Sequence, residues 1–423
     1  MPETKRLFAA LALTALLPFT GVAAPWPTFD ELPVQTDLPD PFTMMNGDPV
    51  KTPEEWKTRR RPELKALFEH YVYGVAAPEA EIEVSETAPP QSVLEGKATL
   101  KQLTIRFKNL PAPDAPAIRL ALFVPAQATG PVPVFLGLNK CGNYTVTTDT
   151  AVLYNDETWC HDSCPKTEAE GRGLKADFWC VPYLMERGYA FATFHESDID
   201  PDQHDFTDGI HAAYPPTATA DYSWGTIAAW SWGLRRGIDY LVTDTDINPA
   251  QVAVIGHSRR GKAALLTGAF DERVALVVPH QSGTGGMALS RNNDQETTKR
   301  INDKFPHWFS DSFTWFDDQE NRLPVDQHLL ASLVAPRALF ETVGLQDTWA
   351  NYESSLKTIH AAAPVYRFLG APGMKGEGMI VGPGGVSKDT VGNLVQYRLD
   401  TKHTLTRDYW QAILDFADLQ YHP

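Results

Sequence analysis

Val252-Ala253-Val254-Ile255-Gly256-His257-Ser258-Arg259-Arg260-Gly261-Lys262-Ala263-Ala264-Leu265-Leu266 is the stretch on which the fold turns. Four small or β-branched apolar residues read as a buried strand, a glycine-flanked serine follows with no room for a loop, and an Ala/Leu-rich run then reads as a helix. So sharp a strand-to-helix turn holds a serine in a strained backbone conformation at the carboxyl end of the strand. Its hydroxyl then faces a cleft, and the next backbone N–H can bind an oxyanion. Ser258 is the expected nucleophile. The pattern departs from plain Gly-x-Ser-x-Gly, because Arg260 stands where the second glycine belongs and Gly261 comes one residue later.

A glycine-serine pair after a strand also occurs as an ordinary turn, with the serine capping the helix. A purely structural helix start would favour Asp or Glu in its first turn, where the macrodipole disfavours positive charge. This one carries Arg259 and Lys262. Lys262, four residues after Ser258, falls on the same side of the helix start and so can look into the cleft. The cations read as placed for a ligand, and His257 reads as structural, its side chain turned into the packed turn.

Residues 1–24 have the form of a signal peptide: Lys5 and Arg6, an apolar run from Leu7 to Phe19 too short to span a bilayer, and small residues Val22-Ala23-Ala24 for cleavage. An exported protein, secreted or periplasmic and free of the membrane after cleavage, is expected. Cys141, Cys160, Cys164 and Cys180 are expected to form disulfides in that compartment, with three connectivities open. A metal site from Cys160, His161, Asp162 and Cys164 lacks a second paired ligand motif, so neither a metal nor a cofactor is expected. A net charge of -16 disfavours nucleic acid and anionic surfaces as partners.

No repeat or Ser/Gly linker divides the chain, so residues 25–423 are expected to form one domain. Composition is silent on oligomeric state, and a monomer is the expectation. Pro-rich residues 25–52 wrap the surface, and Pro53–Tyr73 has helical spacing with Arg59-Arg60-Arg61 on a solvated face. Strands are expected at 98–107, 118–124 and 132–138, then a loop-rich insertion around 140–180 at the rim of the site. Strand 189–194 leads into the acidic loop His195-Glu196-Ser197-Asp198-Ile199-Asp200, whose spacing does not match a calcium loop and reads as a capped turn. Thr226–Leu241 is an amphipathic helix with core tryptophans. Strands at 274–278, 338–343 and 395–399 and a last helix at 407–419 complete the pattern.

The Ser-Arg-x-Gly-Lys core of the turn, with Val278-Pro279-His280-Gln281-Ser282-Gly283-Thr284-Gly285-Gly286, Phe305-Pro306-His307-Trp308-Phe309 and Lys402-His403-Thr404, resembles the glucuronoyl esterases, carbohydrate esterase family fifteen, in its bacterial form. The resemblance runs from Trp56 to the C-terminus. It implies an α/β-hydrolase, a three-layer sandwich with a mostly parallel central sheet. It also implies a serine esterase acting on the ester between 4-O-methyl-glucuronic acid of glucuronoxylan and lignin alcohols, so a lignin-carbohydrate ester is the implied partner. Arg259 would add its guanidinium to the oxyanion site, and Lys262, Trp308, Glu296 and Gln281 would line the substrate site.

One departure matters. The family's acid after the strand ending at Val278 is a glutamate, and here that position is Gln281, an amide that cannot stabilise an imidazolium as a carboxylate does. The loop Gly344-Leu345-Gln346-Asp347 follows a late strand, and Asp347 completes the chain order Ser258, Asp347, His403 expected of this fold. Glu341 and Asp400 are weaker alternatives, and helix capping is the structural alternative for Asp347. His403 sits between the last strand and the last helix, the usual place for the base. Two rival functions stand beside this reading: another carbohydrate esterase such as an acetyl xylan esterase, for which Arg259 and Lys262 have no use, and a non-catalytic uronate-binding protein, suggested by Gln281.

Overall fold

The computed structural model describes residues 26–108, 110, 116–155, 158–214 and 224–421. The expected signal peptide lies outside them. Strands β1 (Ile82–Val93), β2 (Ala98–Phe107), β3 (Ile118–Pro125), β4 (Val132–Asn139), β5 (Ala190–His195), β6 (Ile247–His257), β7 (Val274–His280), β8 (Ala338–Gly344), β9 (Met379–Val381) and β10 (Leu394–Leu399) form one sheet. Their order is β1-β2-β3-β5-β4-β6-β7-β8-β10-β9. The β1, β2, β3 and β5 pairings are antiparallel and every pairing from β5 onward is parallel. This is the α/β-hydrolase sheet.

Alternation along the strands builds two cores. Val252 and Val254 of β6 point into the core shared with α2 (Thr226–Leu241), α3 (Arg259–Phe270), α4 (Gln327–Val334) and α5 (Tyr352–Phe368). Ala253 and Ile255 point the other way, into the core shared with the 140–180 insertion and α6 (Arg407–Tyr421). Three layers follow. The tryptophans of α2, Trp230 and Trp232, are fully buried, as the helical spacing requires.

The arginine run does not form a solvated face. Arg60 and Arg61 are buried at 3% and 7% exposure. Arg60 donates to the Pro41 and Asp40 carbonyls and to Glu63, while Arg61 donates to the carbonyls of Leu333 and Ala335 at the end of α4 and pairs with Glu272. They clamp the Pro-rich wrap and α1 (Arg61–Phe68) to the body, and only Arg59 stays in solvent, paired with Asp48. Among the described residues, no helix is long and apolar enough to cross a membrane.

Glu341 lies inside β8, buried, bonded by Gln396 Nε2 at 2.8 Å. Burial pushes its pKa up to about 7, so the native state holds a proton that the unfolded chain releases between roughly pH 4.3 and 7. Stability from this group is therefore lost as pH rises through that window. The thermal midpoint of Glu341→Gln should fall less between pH 5 and pH 8 than that of the unaltered protein, measured by calorimetry at both pH values.

Candidate functional site

The turn after β6 is built by two backbone contacts that only glycine permits. A Cβ on Gly256 would lie 2.0 Å from the Arg260 carbonyl oxygen, and one on Gly261 would lie 2.8 Å from the Gly256 carbonyl oxygen. The first turn of α3 thus presses on the end of the strand, which is why the second glycine stands at 261. Ser258 takes φ 61° and ψ -128°, a region that costs a non-glycine residue about 1–3 kcal/mol. Its N–H donates to the His280 carbonyl at 2.9 Å, and its own carbonyl accepts from Gly261 N at 2.8 Å and Lys262 N at 3.2 Å.

The carboxyl ends of β8 and β10 bring in the next pair. His403 Nδ1 and Asp347 Oδ2 are 2.6 Å apart. Asp347 is buried at 6% exposure and the imidazole side chain is 41% exposed. The two loops are stitched together by Leu345 N to the Leu399 carbonyl and Gln346 N to the Thr401 carbonyl. His403 Nε2 has no hydrogen-bond partner among the described residues. The alternatives lie elsewhere: Glu341 sits inside the sheet on Gln396, and Asp400 accepts from Gln346. Capping of α5 falls to Asn351, whose side chain accepts from Ser354 N.

Ser258, Arg259 and His403 line one cleft of about 300 Å³ with Leu138, Lys140, Lys175, Phe178, Trp179, His257, Arg260 and Thr404. Four cations in this lining make the cleft locally positive in an acidic protein. His257 does not turn into the packed turn: it lines the cleft with its ring centroid 4.3 Å from that of His403 and 5.0 Å from that of His280. Burial, with His280 and His403 nearby, holds its pKa well below the ordinary histidine value, so it packs as a neutral ring.

The cations of the turn are differently engaged. The Arg259 guanidinium lies 4.3 Å over the Trp308 ring and 4.7 Å over the Phe305 ring, and its Nη1 pairs with Asp202. Lys262 is buried and gives its three donors to the Ser282 carbonyl at 2.7 Å, the Thr284 carbonyl at 2.5 Å and Glu296 Oε2 at 3.1 Å. Glu296 also accepts from Trp349 Nε1 at 2.7 Å and Thr284 N at 2.7 Å. Trp308 is 2% exposed and donates Nε1 to Asp202 Oδ1 at 2.9 Å. Lys262, Glu296 and Trp308 therefore come together beside the turn, but none of them lines the cleft.

Gln281 is also buried and off the cleft. It has φ 48°, and its Nε2 donates to the Lys402 carbonyl at 3.0 Å, tying the end of β7 to the loop that carries His403. Sequence reasoning missed Asp202 and Trp349. Trp349, two residues after Asp347 and 38% exposed, had proximity to the candidate acid as its only signal.

The insertion forms the rim, pinned by Cys141–Cys164 and by Lys140 Nζ to Ser163 Oγ at 2.6 Å. Closing this 23-residue separation contributes on the order of 3 kcal/mol in the chain-entropy account. The four cysteines make one bridge, not two. Cys160 and Cys180 remain thiols. With Cys164 oxidised and His161 Nδ1 bonded to Ser163, the Cys160-His161-Asp162-Cys164 set is not a ligand cluster.

A carbohydrate esterase from an unknown prokaryotic organism is 40% identical over 402 residues, covering 92% of this chain and 91% of that one. The 4-O-methyl-glucuronoyl methylesterase of Schizophyllum commune is 32% identical over 350 residues, covering 79% and 74%. The chain belongs to the glucuronoyl esterases, carbohydrate esterase family fifteen. The family model for fungal glucuronyl esterase matches residues 174–370. Among solved glucuronoyl esterases, that of Solibacter usitatus superposes with a TM-score of 0.82 at 34% identity, covering 93% of this chain and all of that one. A promiscuous esterase of the family from a marine bacterial metagenome gives 0.81 at 38% identity, covering 92% and 98%. As a glucuronoyl esterase the chain is a carboxylic ester hydrolase.

The geometry sets a test of the acid. Asp347→Ala should lower kcat by about 10²- to 10⁴-fold with little change in KM, while Asp400→Ala should leave kcat within about twofold, both from steady-state kinetics on one uronate ester.

Proposed function

We propose that this chain is an exported serine esterase of one catalytic domain, residues 25–423, that hydrolyses the ester joining 4-O-methyl-glucuronic acid of glucuronoxylan to lignin alcohols. The observation that carries the reading is the His403–Asp347 contact at 2.6 Å beside a strained Ser258 in the same cleft. Family membership supports the reaction class, and the names of the fungal relatives support the uronate.

Ser258 Oγ attacks the ester carbonyl while His403 Nε2 takes its proton. Asp347 holds the ring with Nδ1–H inward and stabilises the imidazolium. The tetrahedral oxyanion receives the backbone N–H and the guanidinium of Arg259, a charged donor in a partly dry cleft. Collapse returns the proton to the departing alcohol, and water repeats the sequence on the acyl-enzyme. Lys262, Trp308 and Glu296 are assigned to the sugar. Because the three donors of Lys262 already have acceptors, a sugar hydroxyl binds it by replacing one of them, with Glu296 as the accepting partner. Gln281 acts through the Lys402 loop.

Hydrolysis of benzyl glucuronate, run beside an aryl acetate, tests the reading. The uronate ester should turn over well above the acetate, and Ser258→Ala should abolish it. Cleavage of the acetate alone would replace the uronate by a general ester, and cleavage of neither would leave a uronate-binding protein.

A further inference from the structure

The acidic loop after β5 is spent on cations and histidines, one carboxylate at a time. Glu196 takes Arg260, its Oε1 2.7 Å from Nη2. Asp198 accepts from Arg119 N at 2.9 Å. Asp200 faces His211 Nδ1 at 2.7 Å and accepts from Thr226 Oγ1 at 2.7 Å. The backbone between them is held by Trp230 Nε1 to the Asp200 carbonyl and Ile210 N to the Ile199 carbonyl. Asp202 is the last carboxylate on this fixed arm. Its Oδ1 accepts from Trp308 Nε1 at 2.9 Å and meets His307 Nε2 at 3.0 Å, while its Oδ2 takes Arg259 Nη1.

Asp202 is the hydrogen-bond partner of the Arg259 side chain among the described residues. Among the described residues its Nε and Nη2 make none, and its remaining contacts are the faces of Trp308 and Phe305. A ring face restrains the plane of a guanidinium but not its rotation within that plane, and an unanchored arginine carries about 2 kcal/mol of rotamer entropy. One Nη fixed, with Nε and Nη2 left without a partner among the described residues, is a geometry that a single buried carboxylate supplies. The same carboxylate binds Trp308, so the platform and the guanidinium are set from one point.

We propose that Asp202 is a positioning residue for the reaction: by anchoring Nη1 it aims the remaining donors of Arg259 at the oxyanion. The proposal rests on the reading of Arg259 as an oxyanion donor. Burial alone would raise the Asp202 pKa, but the His307 hydrogen bond and the Arg259 charge outweigh it and hold the carboxylate ionised.

The test is a double-mutant cycle with Arg259→Met on benzyl glucuronate. Asp202→Asn should lower kcat by about 10- to 100-fold with KM within about threefold, and should change kcat by less than about threefold when added to Arg259→Met. An equal loss in both backgrounds, or a loss confined to KM, overturns the proposal. Should Asp202→Asn fail to fold, His307→Leu and His307→Gln replace it. Leu should lose activity several-fold, whereas Gln, which keeps a donor for Oδ1, should stay within about twofold; equal losses overturn the proposal. A readout independent of turnover is the Arg259 Nε–H NMR signal, assigned by its absence in Arg259→Met. It should be sharp and shifted in the unaltered protein and averaged in Asp202→Asn or His307→Leu, and an unchanged signal overturns the proposal. If the unaltered protein cleaves no uronate ester, the uronate reading fails and Asp202 is judged on this signal.

Discussion

The crossing of β6 over the first turn of α3 sets the coordinate frame for the whole site. With Gly256 against the Arg260 carbonyl and Gly261 against the Gly256 carbonyl, the chain reverses within a few residues and the serine has no alternative backbone pose. The strain is of the same order as the net contribution of the hydrogen bonds that Ser258 N and its carbonyl make with β7 and with the helix, which offset it. Because β6 lies between β4 and β7 in the sheet, the reference point is locked from both sides. The flanking strand ends deliver the rim at Lys140 and the loop at Gln281, and the strands beyond deliver Asp347 and His403.

Around that frame the chain inverts its own charge. Formal charge over the full sequence is -16, yet the cleft is lined by Lys140, Lys175, Arg259 and Arg260. Carboxylates sit one layer behind, on the arm from Glu196 to Asp202 and at Glu296. Buried ion pairs of this sort add little net stability, since desolvation consumes the Coulomb gain. Their contribution is orientation: the three cations in the first turn after Ser258 have carboxylate partners at their backs, Asp202 for Arg259, Glu196 for Arg260 and Glu296 for Lys262.

The parts of this arrangement that were legible in the sequence are those written in local order. Residues 252–266 encode strand, turn and helix within one window, and chain order alone points to the loop of Asp347 and to His403. What stayed hidden depends on partners far apart. Asp202 meets Arg259 across 57 positions, and nothing in the turn residues themselves names that partner. Arg60 and Arg61 read as solvated because a charge run usually is, but their acceptors are carbonyls on the wrap and on α4 that no periodicity marks. Lys262 is expected from its spacing to look into the cleft; instead it is buried beside the turn, its donors taken by the loop at 282–284 and by Glu296. Strand β1 carries Pro89-Pro90 and an almost wholly exposed face, so its place as the sheet edge has no apolar alternation to announce it.

Gln281 has a consequence for how such a site changes over evolutionary time. Its amide binds the Lys402 carbonyl, so the end of β7 still tethers the histidine loop although it carries no charge. The strand next to it, β8, ends in the loop that supplies a carboxylate to the same imidazole, one strand spacing of roughly 4.8 Å away. Tethering and charge are thus separate duties on adjacent strand ends. The serine is confined by its glycines and the histidine by its loop, but the acid needs only a strand terminus within reach of Nδ1. In this architecture the backbone fixes Ser258 and His403 from their own turn and loop, whereas a carboxylate on either of two adjacent strand ends would lie near the same imidazole.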